Sequence, residues 1–369
     1  MPYINRYLLV FLFFLLSASG YTKETSDWPL WDDYHARFVK ADGRVADVTF
    51  GGKTTSEAQS YGLFFALVAN QRQHFDAILK WTSDNLADGQ LGDKLPAWLW
   101  NKKNDGSWGV IDRNSASDSD LWIAYSLLQA ERLWQEPRYG VMGRKLLRTI
   151  ERKETVHADR AGWLFMPAPQ GFKLSNNRYR IVSSYMPGFI FEYLAELDPY
   201  GPWKSIWTNF MRMGPRIFSA GVAPDRFVVT SDDVVLPDTE QTPSASYDAI
   251  RVYLWAGMSG KNGKQMVKLL PRYAKLIRQY GAPPENVDPK TGKATKTDYL
   301  PMGFSGAVLP YLHMIGDKSS LQKQVDRLQT IQDKSPHYYD QSLIMFGKGW
   351  LDGYYRFDER GRLQTKWSK

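Results

Sequence analysis

The chain has 369 residues and no cysteine, which excludes disulfides, thiol nucleophiles and cysteine-ligated zinc. Hydrophobic residues make up 43% and charged residues 23%, the balance of a globular chain with a large core. The formal net charge is +8, which in a cytosolic protein would suggest nucleic acid as a partner, and aromatic residues reach 14%.

The first predicted element is an export signal over residues 1–20. Arg6 precedes the apolar run Tyr7–Leu16, and the small residues Ser17, Ala18, Ser19 and Gly20 follow, so cleavage is expected before Tyr21. The apolar run is too short for the roughly 20 residues that cross a bilayer, and no later segment is apolar enough to do so. A periplasmic or secreted chain with no stable membrane span follows, and export argues against nucleic acid as a partner.

Helical periodicity dominates residues 21–369. Phe75, Ile78, Leu79 and Leu86 share one face; so do Ile123, Leu127, Ala130 and Trp134, and then Met142, Leu146 and Ile150. Trp203, Ile206, Trp207 and Phe210 repeat the spacing, and the longest run is Met266, Leu269, Leu270, Tyr273, Leu276, Ile277 and Tyr280. Leu321, Val325 and Leu328 mark a late helix. One hairpin is predicted, Arg226–Thr230 and Val234–Leu236 about Ser231, Asp232 and Asp233. Residues 281–302 read as an excursion loop rich in Pro, Gly, Lys and Asp. No linker divides residues 21–369 and no strict repeat appears, so a single all-α domain built as a closed α/α barrel is expected rather than an open solenoid.

Several chemistries lack their motifs. There is no phosphate-binding glycine loop and no dinucleotide fingerprint, and the five histidines are scattered without metal-ligand spacing. No metal or cofactor is therefore expected, and carboxylates are left as the chemical groups. Three acidic helix starts stand out. Glu57 follows Thr54, Thr55 and Ser56, with Ser56 as a plausible cap, and leads into the apolar Leu63–Leu67. Such an apolar wall would raise a carboxyl pKa far enough for it to act as an acid. Asp118 and Asp120 open the helix towards Trp134, with Ser117 or Asp118 as a cap. At i and i+2 the two acids do not share a face, so they have different tasks. Asp248 opens a third helix beside Tyr247, with Arg251 three residues on to keep it ionised. The plain alternative for each acid is a dipole or capping role at a helix start. Their repetition, with Trp98, Trp100, Tyr185, Tyr338 and Tyr339 in similar segments, points to a sugar-polymer cleft: aromatic faces stack on pyranose rings and two carboxyls cut the glycosidic bond.

These residues resemble glycoside hydrolase family 8. The family signature asks for Ala, Ser or Thr, Asp, a small residue and Asp, then an Ala and a Trp at fixed spacing; residues 116–134 match it except that Ser119 stands where Ala or Gly is usual. Closest is the branch of the family found in bacterial cellulose-synthesis systems, whose members are periplasmic endo-1,4-β-glucanases. Thr54–Gly62 (with Ala58 in place of the usual Gly), Leu95–Trp100, Ser246–Arg251, Pro283–Asp288 and Gly303–Ser305 carry that likeness. The resemblance implies an (α/α)6 barrel with short β-hairpin excursions, an inverting mechanism and no cofactor. It implies Glu57 as general acid, Asp248 as general base, and Asp118 as the acid that holds the sugar distorted at the cleavage point. It also places Arg251 and Tyr185 near that subsite and Trp98 as a stacking platform; Tyr247, Tyr338 and Tyr339 complete the candidate sugar contacts. The implied partners are β-1,4-glucan and the cellulose synthase complex, with the chain acting as a monomer. The rival readings are a chitosanase or xylanase on the same scaffold, the first disfavoured by the positive net charge, and a non-catalytic glucan-binding protein.

Overall fold

The computed structural model describes residues 26–240 and 242–368, and the expected export signal at 1–20 lies outside them. The helices are α1 (Pro29–Phe38), α2 (Ser56–Val68), α3 (Arg72–Leu86), α4 (Ser117–Trp134), α5 (Pro137–Glu154), α6 (Gly188–Leu197) and α7 (Trp203–Ile217). They continue as α8 (Ile250–Met258), α9 (Gly260–Val267), α10 (Pro271–Tyr280), α11 (Met302–Ala307), α12 (Leu309–Met314), α13 (Lys318–Gln329) and α14 (Tyr338–Leu351).

Two kinds of helix alternate, and their sequences explain why. In α2 every residue but Glu57 is buried, and in α8 all are. The first four turns of α4 and most of α14 are enclosed in the same way. A helix that is apolar all round has to be surrounded by others. By contrast α3, α5, α7, α10 and α13 bury one stripe each, as with Trp203, Ile206, Phe210, Met213 and Ile217 of α7. The all-round helices α2, α4, α6, α8, α11–α12 and α14 form an inner ring, and α3, α5, α7, α9–α10, α13 and α1 pack outside them as antiparallel partners. This is an (α/α)6 barrel.

The middle of the ring is filled by aromatic rings. Trp122 of α4 meets Phe64 of α2 at 4.9 Å between centroids, Trp255 of α8 at 5.2 Å, Phe346 of α14 at 5.3 Å and Phe189 of α6 at 5.8 Å. These are favourable aromatic separations, and each ring adds a large buried apolar area. The plug closes the barrel beneath the N-terminal ends of the inner helices, so a cleft can form only above it.

Small sheets hang from the loops. The strands are β1 (Thr54–Thr55), β2 (Leu99–Lys102), β3 (Trp108–Asp112), β4 (Thr155–Ala158), β5 (Gly162–Phe165), β6 (Lys173–Leu174) and β7 (Arg178–Val182). Then come β8 (Arg226–Thr230), β9 (Val235–Pro237), β10 (Asn286–Asp288), β11 (Lys293–Lys296), β12 (Tyr355–Phe357) and β13 (Leu363–Thr365). The predicted hairpin is β8–β9, but it is half of a four-stranded antiparallel sheet ordered β6-β7-β8-β9. The excursion at 281–302 carries a hairpin of its own, β10–β11. The long periodic run at 266–280 is two helices, because Pro271 lacks an N–H and starts α10 anew.

Inner helices α11 and α14 cross closely enough that a Cβ on Gly347 would collide with the carbonyl oxygen of Gly306. Gly347→Ala is therefore expected to cost about 1–3 kcal/mol of stability through overpacking. A thermal melt indistinguishable from wild type would contradict this reading of the crossing.

Candidate active site

The three acids stand at the N-terminal ends of inner helices, each placed by a local device. For Glu57 the device is Thr55 rather than Ser56: Thr55 Oγ1 accepts the Ala58 N–H at 3.1 Å, and Ser56 N–H is taken up by Trp98 O at 3.0 Å. Glu57 is the one residue of α2 that is not buried, and it lines the cleft with Ala58. No side chain caps α4, contrary to expectation. Asp118 instead accepts the Ser119 N–H with Oδ1 at 2.7 Å and directs Oδ2 inward. Asp248 lies in the turn before α8, which begins at Ile250. Half-buried Asp225 holds that turn, accepting the N–H groups of Ser246 at 2.9 Å and Ala249 at 2.7 Å and a hydrogen bond from Ser244 Oγ.

Arg251 joins the three. Its Nη1 donates to Glu57 Oε2 at 2.8 Å, Asp118 Oδ2 at 2.8 Å and Tyr61 Oη at 3.0 Å, and its Nη2 donates to Asp248 Oδ1 at 2.6 Å. The guanidinium is buried, and the Tyr185 ring lies 5.7 Å away. Arg226 Nη2 stands 3.9 Å from Asp248 Oδ2 and Lys53 acts on Glu57 from the cleft wall.

Three carboxyls around one buried guanidinium cannot all be ionised without a surplus of negative charge. The surplus is relieved at Glu57. Burial pushes its carboxyl up to about 7, Arg251 pulls the other way, and Asp118 and Asp248 add to the rise. Burial also raises Asp118, opposed by Arg251 and by the Ser119 N–H. Near neutral pH the site thus holds one carboxyl able to give up a proton.

Above this lies a cleft of about 590 Å³, with Glu57, Asp248, Arg251, Tyr247 and Tyr339 among its lining residues. Tyr247 is 42% exposed, and its ring meets Tyr339 at 6.2 Å, while Tyr339 Oη donates to Tyr247 O at 2.6 Å. Trp98 is 37% exposed and its carbonyl holds the start of α2, but it is not among the residues lining this cleft. Tyr185 and Asp118 lie against Arg251. Tyr338 is mostly a core residue: only 4% exposed, it packs on Tyr34 and Phe38 and gives the cleft an edge at most. Sequence reasoning did not select Tyr61, Asp225, Arg226, Tyr299 or Asp340. Tyr61 carried a signal, four residues after Glu57 on one helix face; Asp225 and Tyr299 come from loops, Arg226 opens β8, and Asp340 follows Tyr339 in α14.

A closed helical barrel with a proton-bearing carboxyl, its ionisable partners and flanking aromatic faces at one end defines a glycoside hydrolase. The chain belongs to the glycosyl hydrolases family 8, whose sequence profile matches residues 3–353. A protein named endoglucanase from Escherichia coli O157:H7 is 40% identical over 359 residues, covering 96% of this chain and 95% of its own. Another so named, from Xanthomonas axonopodis pv. citri (strain 306), is 39% identical over 358 residues, 95% of this chain and 92% of its own. The crystal structure of an endo-1,4-D-glucanase from Vibrio fischeri ES114 superposes with a TM-score of 0.84 at 34% identity, covering 93% of this chain and all of that one.

Removing the shared cation tests its role. Arg251→Ala leaves buried carboxylates uncompensated and is expected to cost about 3–5 kcal/mol near neutral pH. Without Arg251 the carboxyls titrate higher, so the deficit relative to wild type is expected to shrink as pH falls and they take up protons. A deficit independent of pH in thermal melts would show that Arg251 is not their counter-ion.

Proposed function

We propose that this chain is an endo-1,4-β-glucanase that cleaves cellulose with inversion at the anomeric carbon. The observation that carries the reading is the Arg251 hub, which presents Glu57 and Asp248 on its two terminal nitrogens while Glu57 keeps a proton to about pH 7. Glu57 donates that proton to the departing glycosidic oxygen as the bond to the anomeric carbon breaks. A water attacks the opposite face of that carbon and gives its proton to Asp248. Inversion calls for a gap of roughly 6.5–9.5 Å between the two carboxyls to house that water. Asp118, ionised against Arg251, holds the sugar at the cleavage point, with Tyr185 beneath. Trp98, Tyr247 and Tyr339 offer stacking faces along the chain, and Tyr338 offers an edge.

The same reading makes residues 21–369 one catalytic domain, exported to the periplasm behind a cleaved signal and acting as a monomer on nascent β-1,4-glucan. It links the enzyme to bacterial cellulose production, with the cellulose synthase complex as its partner there. The export pattern at residues 1–20 supports the location, and the name endoglucanase borne by the relatives supports the glucan substrate.

Glu57→Gln is expected to lower kcat by about 10²–10⁴-fold, the usual weight of a general acid. Its stability separates chemistry from damage. A carboxyl with a raised folded pKa costs stability as pH rises through that value, so the variant is expected to melt with wild type at acidic pH and above it at pH values beyond about 7. The alkaline limb of kcat/KM is expected near that same value. NMR of fresh product is expected to show the α-anomer, and the β-anomer would overturn inversion. Reducing ends released from carboxymethylcellulose, mixed-linkage glucan, xylan and chitosan test the substrate; a preference for either of the last two would replace cellulose.

A further inference from the structure

Behind the cleft lies a second acidic pair that the reaction does not touch. Asp120 follows Asp118 by two residues on α4, Glu154 ends α5, and both are fully buried. Their carboxyls are in hydrogen-bond contact with each other. Ser115 Oγ donates to Glu154 Oε1, but Asp120 Oδ1, Asp120 Oδ2 and Glu154 Oε2 receive no donor from the described residues. Two carboxylates cannot rest against each other in this way, because each would carry an uncompensated charge away from water. One proton between them converts an acceptor into a donor and satisfies the contact. The other charged groups acting on the pair are Asp118, which would add to the repulsion, and Lys153 in the last turn of α5, which is exposed to solvent.

We propose that Asp120 and Glu154 share one proton and act together as positioning residues for Asp118, fixing the first turn of α4 so that Asp118 remains an ionised partner of Arg251. The surroundings suit that task. Ser115 stands two residues before the start of α4, Ser117 N–H is held by Pro167 O, and Met166 N–H by Glu154 O, so the pair and its surroundings tie α4 to α5 and to the segment after β5. A fully ionised pair would set a second negative charge behind Asp118 and weaken its hold on Arg251. Burial pushes Glu154 up to about 8 and Asp120 well above the usual carboxylate range, so the proton stays through neutral pH. The functional part of the inference rests on reading Asp118 as the acid that holds the sugar; the shared proton does not.

Asp120→Asn and Glu154→Gln replace the proton with an amide that always donates, and Asp120→Ala removes it. The pair titrates higher folded than unfolded, so its stabilisation is complete below the ordinary carboxylate range and is lost as pH rises through about 8. In thermal melts across that range, D120N and E154Q are expected to gain on wild type by several degrees on the alkaline side. The infrared difference between wild type and D120N at neutral pH is expected to show a protonated-carboxyl band, the Glu57 contribution cancelling because both proteins carry it. Equal pH slopes, or no such band, would overturn the shared proton. In kinetics on carboxymethylcellulose, D120N is expected to stay within about tenfold of wild-type kcat, with D120A losing roughly a further tenfold or more at nearly unchanged KM, as for a contact made in the transition state. Full kcat in D120A would overturn the positioning role. If wild type fails on every β-1,4-glucan, the functional reading falls, while the melts and the infrared band still decide on the proton.

Discussion

One buried guanidinium serving three carboxyls is the constraint around which this barrel is arranged. Arg251 lies 194 residues from Glu57 and 133 from Asp118, so only closure of the inner ring brings the charges together. Buried charges have to be paired, and the pairing is strained by number: one positive group faces three potential negatives. The system resolves this by leaving one carboxyl protonated. It is the least enclosed acid contacted through Nη1, with 23% of its side chain exposed against 6% for Asp118, that keeps the proton and reaches the cleft. The proton at Glu57 therefore reflects burial first and the neighbouring carboxyls of the ring second, against the pull of Arg251.

The aromatic plug supplies the other half of that balance. Burial is the largest cause of the raised Glu57 pKa, and what excludes water below it is the Trp122-centred stack. Tyr61 connects the two layers: its ring meets Phe346 edge-on at 4.9 Å while its hydroxyl accepts from Arg251. The packing that closes the barrel thus also sets the local dielectric in which the carboxyls compete for protons. Stability and acid strength draw on the same rings.

Much of the site was legible because helix starts have a local grammar. Small polar residues followed by an acid and then apolar residues marked the segments of Glu57, Asp118 and Asp248, and the i, i+3 spacing joined Asp248 to Arg251. The two longer reaches of Arg251 were not legible, since nothing in a sequence reports ring closure. Adjacent residues also misled where one description covered two faces. Tyr338 and Tyr339 were read together, but neighbours on a helix diverge, and one ring went to the core while the other went to the cleft. The i, i+2 argument for Asp118 and Asp120 rested on the same geometry and held: one turns to Arg251, the other to Glu154. The run at 266–280 shows a limit of periodicity, since two helices meeting at Pro271 can keep one apolar phase across the break.

Net charge was the weakest guide. A chain at +8 seemed to disfavour a cationic polymer, yet Asp47, Glu57, Asp248 and Asp340 outnumber Lys53 and Arg251 in the cleft lining. Counting acids overstates the field, however. Glu57 holds a proton to about pH 7, Asp248 is bonded to Arg251, and burial raises Asp340. Setting these three aside leaves Asp47 against Lys53, so little net charge remains to face the substrate. A cleft walled by Tyr247 and Tyr339 and nearly neutral in its middle suits an uncharged sugar chain, which is held by stacking and hydroxyl contacts and gains little from long-range attraction.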